Sequence, residues 1–175
     1  FMFGPLLDHF EQEITTHLLA EHQYVLVSEE KTENKEAESY DVTVLKTQEG
    51  RYKSEEVMVY GVQENSAYIK SSIADDEVLI SNAYANKQHI KKGDTITLQE
   101  EYGEKTYSFT VTGIYTYPAA LSVFMNCDAF EKTFEKESYY PGYFSNEELT
   151  DLTQKNIAMT ISKEDLTKTS RQLRL

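Results

Sequence analysis

The side chains that could do chemistry are few and widely spaced along the chain. The four histidines are His9, His17, His22 and His89, and the first two lie eight positions apart in a segment with helical periodicity. Histidines so far apart along a helix axis need a third element before they can share one metal ion. A nucleophile needs a nearby base and an oxyanion donor, and no Gly-x-Ser-x-Gly or His-Glu-x-x-His motif supplies them. We therefore expect no catalytic residue, no metal and no cofactor.

Two acidic segments could attract cations. Asp75, Asp76 and Glu77 place three carboxylates together, but the run lacks the alternating spacing and the glycine of an EF-hand loop. A solvated turn before a strand is the interpretation that this pattern favours. The segment 29–38 mixes glutamates with lysines and contains no large apolar residue. It is typical of a solvated loop, and binding of a cationic peptide by this loop is the alternative.

The segment 139–145 reads Tyr-Tyr-Pro-Gly-Tyr-Phe-Ser. Four rings around a Pro-Gly turn cannot all point inward from a tight loop. Exposed tyrosines are common at contact surfaces, where rigid rings bury area at low entropic cost. The candidate residues for contact with a partner or ligand are therefore Tyr139, Tyr140, Tyr143 and Phe144. The alternative, that these rings cover the edge of the core beneath the loop, stays open.

Composition narrows the class of protein. The net charge is −13 over 175 residues, and the lysines are interspersed with glutamates, so the chain lacks the basic stripe that nucleic acid requires. The single cysteine, Cys127, excludes an internal disulfide and a zinc cluster built on several cysteines. No apolar run approaches the ~20 residues of a membrane helix. Tyrosine and phenylalanine are abundant enough for a substantial core.

Hydrophobic spacing predicts elements at both ends of the chain. Helical spacing predicts an amphipathic helix over residues 5–20, and a capping pattern predicts a terminal helix over 163–173. Short β-branched runs predict strands over 24–27, 42–45, 57–62 and 157–161. Two further capping boxes predict a helix beginning at Asp128 and a short helix from Ser145 to about Leu152.

The middle of the chain is rich in predicted strands. The order there is a buried strand over 78–80, a helical turn begun by Ser81 or Asn82, and a hairpin of strands over 95–101 and 105–116, followed by a strand over 121–125. Alternation predicts a shared buried face made of Val78, Ile80, Ile96, Leu98, Phe109, Val111 and Ile114. Together these elements predict an α+β fold with two lobes. Lobe A comprises residues 1–58 and 121–175, and lobe B comprises residues 59–120.

The ordered motifs from Val57 onward resemble the extracytoplasmic domain of FtsX/MacB-type ABC transporter permeases. The resemblance rests on Val-Tyr-Gly-Val at 59–62, on Val78-Leu79-Ile80-Ser81 with Ala83 and Ala85, and on Lys-Gly-Asp-Thr-Ile at 92–96. It continues through Phe-Thr-Val-Thr-Gly-Ile at 109–114 and through the aromatic segment 139–145. The stretch Ser-Arg-Gln-Leu at 170–173 resembles the part that leads into the next membrane helix.

The resemblance implies a non-catalytic domain on the extracellular side of the cell membrane. Its partners would be the flanking transmembrane helices of the same permease and a cytoplasmic ATPase subunit, together with a cationic peptide or an extracellular partner protein. The domain would bind a substrate or partner and transmit conformational change. Its two ends would lie close together. The alternative is a free secreted binding protein, adhesin or hydrolase of unknown type.

Overall fold

The computed structural model of the chain describes residues 20–69 and 71–162. The helices expected over 5–20 and 163–173 lie outside these residues, apart from Ala20 and its buried side chain. Within the described part, ten strands form one sheet. They are β1 (His22–Leu26), β2 (Glu38–Thr47), β3 (Glu56–Val62), β4 (Leu79–Ser81), β5 (Thr95–Glu100), β6 (Thr106–Thr110), β7 (Gly113–Tyr115), β8 (Ser122–Asn126), β9 (Tyr140–Ser145) and β10 (Ile157–Ser162).

The sheet is mixed, and its main order is β10-β1-β9-β2-β3-β8-β4-β7. The β3–β8 and β4–β7 pairs are parallel, and the other pairs are antiparallel. Strand β2 is long enough to pair with β3 on one edge and with both β9 and β5 on the other. Strand β5 then continues into a hairpin with β6.

Two α-helices lie in the described residues, α1 (Asn82–Gln88) and α2 (Cys127–Thr133). Ser81 caps α1, since its hydroxyl accepts a hydrogen bond from the Tyr84 amide. His89 ends α1 in the left-handed conformation with φ of 55°. Two 3₁₀ turns complete the regular structure, at Lys136–Ser138 and Gln154–Asn156.

The expectation of a two-lobed α+β fold is wrong. One large mixed sheet carries all ten strands, and only two short helices accompany it in the part of the chain that the structure describes. The strands assigned to different lobes hydrogen-bond directly, because β8 pairs with β3 on one side and β4 on the other. Strand β3 itself crosses the predicted lobe boundary between residues 58 and 59.

Both faces of the sheet are covered by buried side chains. On one face, the ring of Tyr40 stacks on Phe144 at 4.1 Å and that of Tyr60 stacks on Phe124 at 5.3 Å, between ring centroids. On the other face, Phe130 of α2 packs over β3, and the β5–β6 hairpin adds Leu98 to the same cluster. Because successive residues of a strand point to opposite faces, a centrally placed strand with two covered faces reads as a nearly continuous apolar run. Strand β3 shows this, with Val57, Val59, Tyr60 and Val62 all buried.

The predicted buried face is correct except at one residue. Val78, Ile80, Ile96, Leu98, Phe109 and Val111 are buried, but Ile114 is 44% exposed. The run over 105–116 is divided into β6, which pairs with β5, and β7, which pairs with β4. Ile114 lies opposite Ile80 on β7, the last strand of the main order, whereas the neighbouring Tyr115 is buried in the other cluster with Phe124.

Two predicted helix starts also need correction. The helix expected to begin at Asp128 is capped by Asn126, whose side-chain oxygen accepts from the Ala129 amide. The helix expected from Ser145 to Leu152 does not form. Ser145 ends β9, and its hydroxyl accepts from the Glu147 amide in a local turn. The segment after it is held by tertiary contacts, because the Leu149 amide donates to the Tyr24 hydroxyl at 2.9 Å.

Candidate functional site

The aromatic segment is a strand in the middle of the sheet and not a loop. Strand β9 lies between β1 and β2, with Gly142 opposite Val25 on one side and Tyr40 on the other. The glycine is needed because a Cβ there would lie 2.4 Å from the Tyr24 carbonyl oxygen and 2.6 Å from the Tyr40 ring. The Pro-Gly pair, which usually indicates a turn, here makes room for a tyrosine ring against a strand.

The structure separates the four candidate contact residues. Phe144 is 1% exposed and belongs to the aromatic core, while Tyr139 packs edge-on against Phe130 at 5.0 Å between ring centroids. Tyr143 is half-buried, and its hydroxyl donates to the Glu30 carbonyl oxygen at 2.6 Å. Tyr140 is 48% exposed. Tyr143 lines a groove beside the segment 29–31, and Tyr140 lines a different cleft beside the β5–β6 hairpin.

An acidic groove of ≈ 460 Å³ lies beside β9, between α2 and the segment 29–31. Asp41 of β2, Glu131 and Cys127 of α2, and the segment from Glu29 to Lys31 all line it, so four carboxylates face one lysine. The Lys136 ammonium lies 3.9 Å from the Glu29 carboxylate at the exposed rim. Burial, and then the charges of Glu131 and Glu29, raise the pKa of Asp41 to about 6. The groove is thus a region of negative potential with one carboxyl group that is difficult to ionise.

The segment expected as a solvated loop is anchored by a hydrogen-bond network. The Glu30 carboxylate accepts from the backbone amide of Thr153 at 2.8 Å and from the Asn156 side chain at 3.0 Å. The Asp151 carboxylate accepts from the Glu33 amide and from the Thr32 hydroxyl, both at 2.7 Å. These hydrogen bonds lower the pKa of both carboxyl groups. The segment is exposed, but it is fixed against the stretch that follows β9.

A second cleft, of ≈ 500 Å³, opens where β9 and β5 diverge along the same edge of β2. We call it the tyrosine cleft, and its lining includes Tyr102, Tyr107 and Tyr140 with the carboxylates of Glu100 and Glu101. Tyr102, in the β5–β6 turn, is 96% exposed. Tyr107 packs on Phe134 at 4.8 Å between ring centroids, and the Lys105 ammonium lies 5.2 Å from the Tyr107 ring centroid.

The sequence indicated only part of these surfaces. Tyr140 was a candidate, whereas Asp41, Tyr102 and Tyr107 were not. Asp41 left a signal, because a carboxylate stands between Tyr40 and Val42 in a run whose neighbours are buried. No feature of the sequence indicated Tyr102 or Tyr107, because a tyrosine in a hairpin has the same local sequence pattern whether or not a cleft lies beside it.

The motif residues behind the resemblance hold the scaffold together. The buried Ser81 hydroxyl accepts from the Ser122 amide at 3.0 Å and donates to the Ala120 carbonyl at 2.8 Å. Gly93 has φ of +97°, which favours glycine, and the Asp94 carboxylate accepts from the Lys91 amide at 2.8 Å. A Cβ on Gly113 would approach Leu79 to 2.8 Å. Each of these residues thus has a structural role in a turn, a cap or a close strand pairing.

The acidic run before β4 is tied to the core. The buried Asn126 side chain donates to the Asp75 carboxylate at 2.6 Å and to the Ile73 carbonyl oxygen at 3.2 Å. The Glu77 carboxylate accepts from the Ala74 amide at 3.0 Å. In residues 20–69 and 71–162, no group of three or more histidine, cysteine, aspartate or glutamate side chains has the geometry to hold a metal ion. No helix in the same residues is long and apolar enough to cross a membrane.

Comparison with known proteins adds no identification. No protein-family model matches the chain, and no curated protein matches it.

Proposed function

We propose that this chain is the extracytoplasmic domain of an FtsX/MacB-type ABC transporter permease. It binds a substrate or partner outside the cell membrane and transmits conformational change driven by a cytoplasmic ATPase. The proposal starts from the ordered sequence motifs. The motif residues described above have structural roles in this fold, in turns, a helix cap and close strand pairing. The domain itself is proposed to be non-catalytic.

One structural observation carries the proposal. His22, the first residue of β1, is paired with Ser162, the last residue of β10, in an antiparallel ladder. Directly paired residues of such a ladder have Cα atoms about 5 Å apart. The chain therefore enters β1 and leaves β10 at neighbouring points, at the same end of the sheet. A domain inserted between two packed membrane helices, with axes about 8–10 Å apart, needs this arrangement.

The pairing also suggests how motion would be transmitted. Strand β10 pairs with β1, β1 with β9, β9 with β2, and β2 with β5, so hydrogen bonds connect β1 and β10 continuously to the tyrosine cleft. A sheet with both faces packed resists shear, because its strands cannot slide without breaking ladder hydrogen bonds. Displacement of the flanking helices would then move the cleft as part of one body.

Co-purification tests the proposal. The full-length protein encoded by the gene, with its flanking sequence and an affinity tag, is extracted from membranes with detergent. We expect an ATP-hydrolysing subunit to co-purify. The matched control is the 175-residue chain alone behind a secretion signal, which should bring down no ATPase. Recovery of the natural full-length protein from the medium, free of membrane partners, would instead favour the free secreted binding protein.

A further inference from the structure

The tyrosine cleft concentrates exposed aromatic surface. Five large apolar or aromatic side chains of the described residues are strongly exposed, and two of them, Tyr102 and Tyr140, line this cleft. They come from elements distant in sequence, the β5–β6 turn and the start of β9. Tyr107 lines the same cleft, and its ring packs against Phe134. Exposed aromatic groups that meet from separate elements typically mark a contact surface.

The charge of the cleft specifies the chemistry of the occupant. Glu100 and Glu101 are the ionisable side chains other than tyrosine that line it, and no lysine or arginine does so. A hydrogen bond from the Tyr102 hydroxyl to the Glu101 carboxylate, together with the charge of Glu101, raises the pKa of Tyr102. Aromatic faces beside carboxylates attract cations, which gain both ring and charge contacts. Lys105, which does not line the cleft, shows the same attraction, because its ammonium lies 5.2 Å from the centroid of the Tyr107 ring.

The side chains that line the cleft suit a guanidinium better than an ammonium. It is a gap along the edge of β2, with Tyr140 of β9 on one side and Glu100 of β5 on the other. A planar guanidinium can stack on a tyrosine ring while its N–H groups reach a carboxylate, whereas an ammonium is a compact point charge. An open gap between two strands also leaves room for an extended chain to pass.

We propose that the tyrosine cleft binds an arginine side chain on an extended segment of another polypeptide. Tyr102 and Tyr140 stack on the guanidinium, and Glu100 and Glu101 accept its hydrogen bonds. This contact surface includes only Tyr140 of the aromatic segment. Phe144 is buried, and Tyr139 packs against Phe130. Arginine binding by the cleft does not depend on the proposed function; only the identity of the polypeptide that supplies the arginine in the cell rests on it.

Binding of a hexa-arginine peptide to the 175-residue chain tests this directly, with affinity measured by calorimetry at about 0.1 M salt. The Tyr102→Ala/Tyr140→Ala variant should lose about tenfold in affinity, while Tyr52→Ala, a tyrosine elsewhere on the surface, should leave it unchanged. A hexa-lysine peptide should bind more weakly than hexa-arginine to the unsubstituted chain. Far-UV circular dichroism checks that each variant is folded.

A second pair of variants separates the cleft from the overall charge. Glu100→Gln/Glu101→Gln and Glu64→Gln/Glu148→Gln remove the same charge, but the second pair lies on the exposed surface away from the cleft. We expect only the first pair to weaken hexa-arginine binding by tenfold or more. Equal losses in both pairs, or unchanged affinity in the tyrosine variant, would overturn the proposal. Either result leaves co-purification of the ATPase unaffected, so the two proposals fail separately.

Discussion

Ser81 and Ser122 are two fully buried serines in contrasting environments. The Ser81 hydroxyl makes three hydrogen bonds, to the amides of Tyr84 and Ser122 and to the carbonyl of Ala120. The Ser122 hydroxyl finds no hydrogen-bond partner among the described residues.

Ser81→Ala leaves three buried backbone groups to find new partners, so we expect it to lower the free energy of unfolding by about 2–3 kcal/mol. Ser122→Ala, measured in the same denaturant titration, should not lower it, because no hydrogen bond is lost and a buried hydroxyl with no partner among the described residues is removed. Equal losses would show that the hydrogen bonds of Ser81 are not what stabilises this site.

Asp41 gives the acidic groove a measurable pH dependence. Its pKa is about 6 in the folded chain and 3.8 when unperturbed, so the folded state binds the proton more tightly than the unfolded state. Stability from this group is therefore gained as the pH falls from about 6 towards 4, and it is lost as the pH rises through 6. At pH 7.5 we expect Asp41→Asn to raise the free energy of unfolding by about 1 kcal/mol, a figure reduced for the partial exposure of the group. At pH 4.5 the gain should fall to about a third of that value, because Asp41 is then largely protonated in the folded chain. A gain of the same size at both pH values would exclude ionisation as its cause.

At the scale of elements, most strands could be predicted because their residue pattern is local. The β-branched runs that became β2 and β3, and the alternation in β5 and β6, each carry their own signal. Strand β9 could not be predicted this way. Its Pro-Gly pair indicates a turn, and only the Tyr40 ring lying against Gly142 explains a strand there. The helix predicted after Ser145 is absent for a similar reason. The Leu149 amide donates a hydrogen bond to the buried Tyr24 hydroxyl, a contact that the local sequence does not indicate.

The packing of α2 on β3 depends on a glycine. A Cβ on Gly61 would lie 2.6 Å from the Phe130 ring and 2.7 Å from the Phe130 Cβ, so Gly61→Ala must push α2 away from the sheet. We expect a loss of about 2 kcal/mol in the free energy of unfolding, measured by denaturant titration. Gly50→Ala is the matched control, because no atom lies within 4 Å of the added carbon. If Gly61→Ala is as stable as the control, the helix does not pack as closely as described.

At the scale of the whole molecule, the sequence predicted strands and one local pair, the β5–β6 hairpin, but not the pairing of distant strands. Pairing between β3 and β8, which are separated by some sixty residues, depends on side chains that meet only in the folded chain. The candidate site was likewise predictable only in part. Tyr140 could be predicted as a contact residue from its aromatic segment, whereas the cleft beside it exists only because β5 and β9 share one edge of β2.

The location of the domain relative to the membrane is the central claim, and one labelling measurement tests it. Tyr102 is almost fully exposed in the β5–β6 turn, so a cysteine placed there is open to reagents. The full-length protein carrying Tyr102→Cys in a Cys127→Ser background is treated, in intact cells, with a maleimide that cannot cross membranes. The same protein without the Tyr102→Cys change is the control. The account predicts labelling of Tyr102→Cys in intact cells and none in the control. Labelling of Tyr102→Cys only after the cells are broken would place the domain inside the cell and contradict the account.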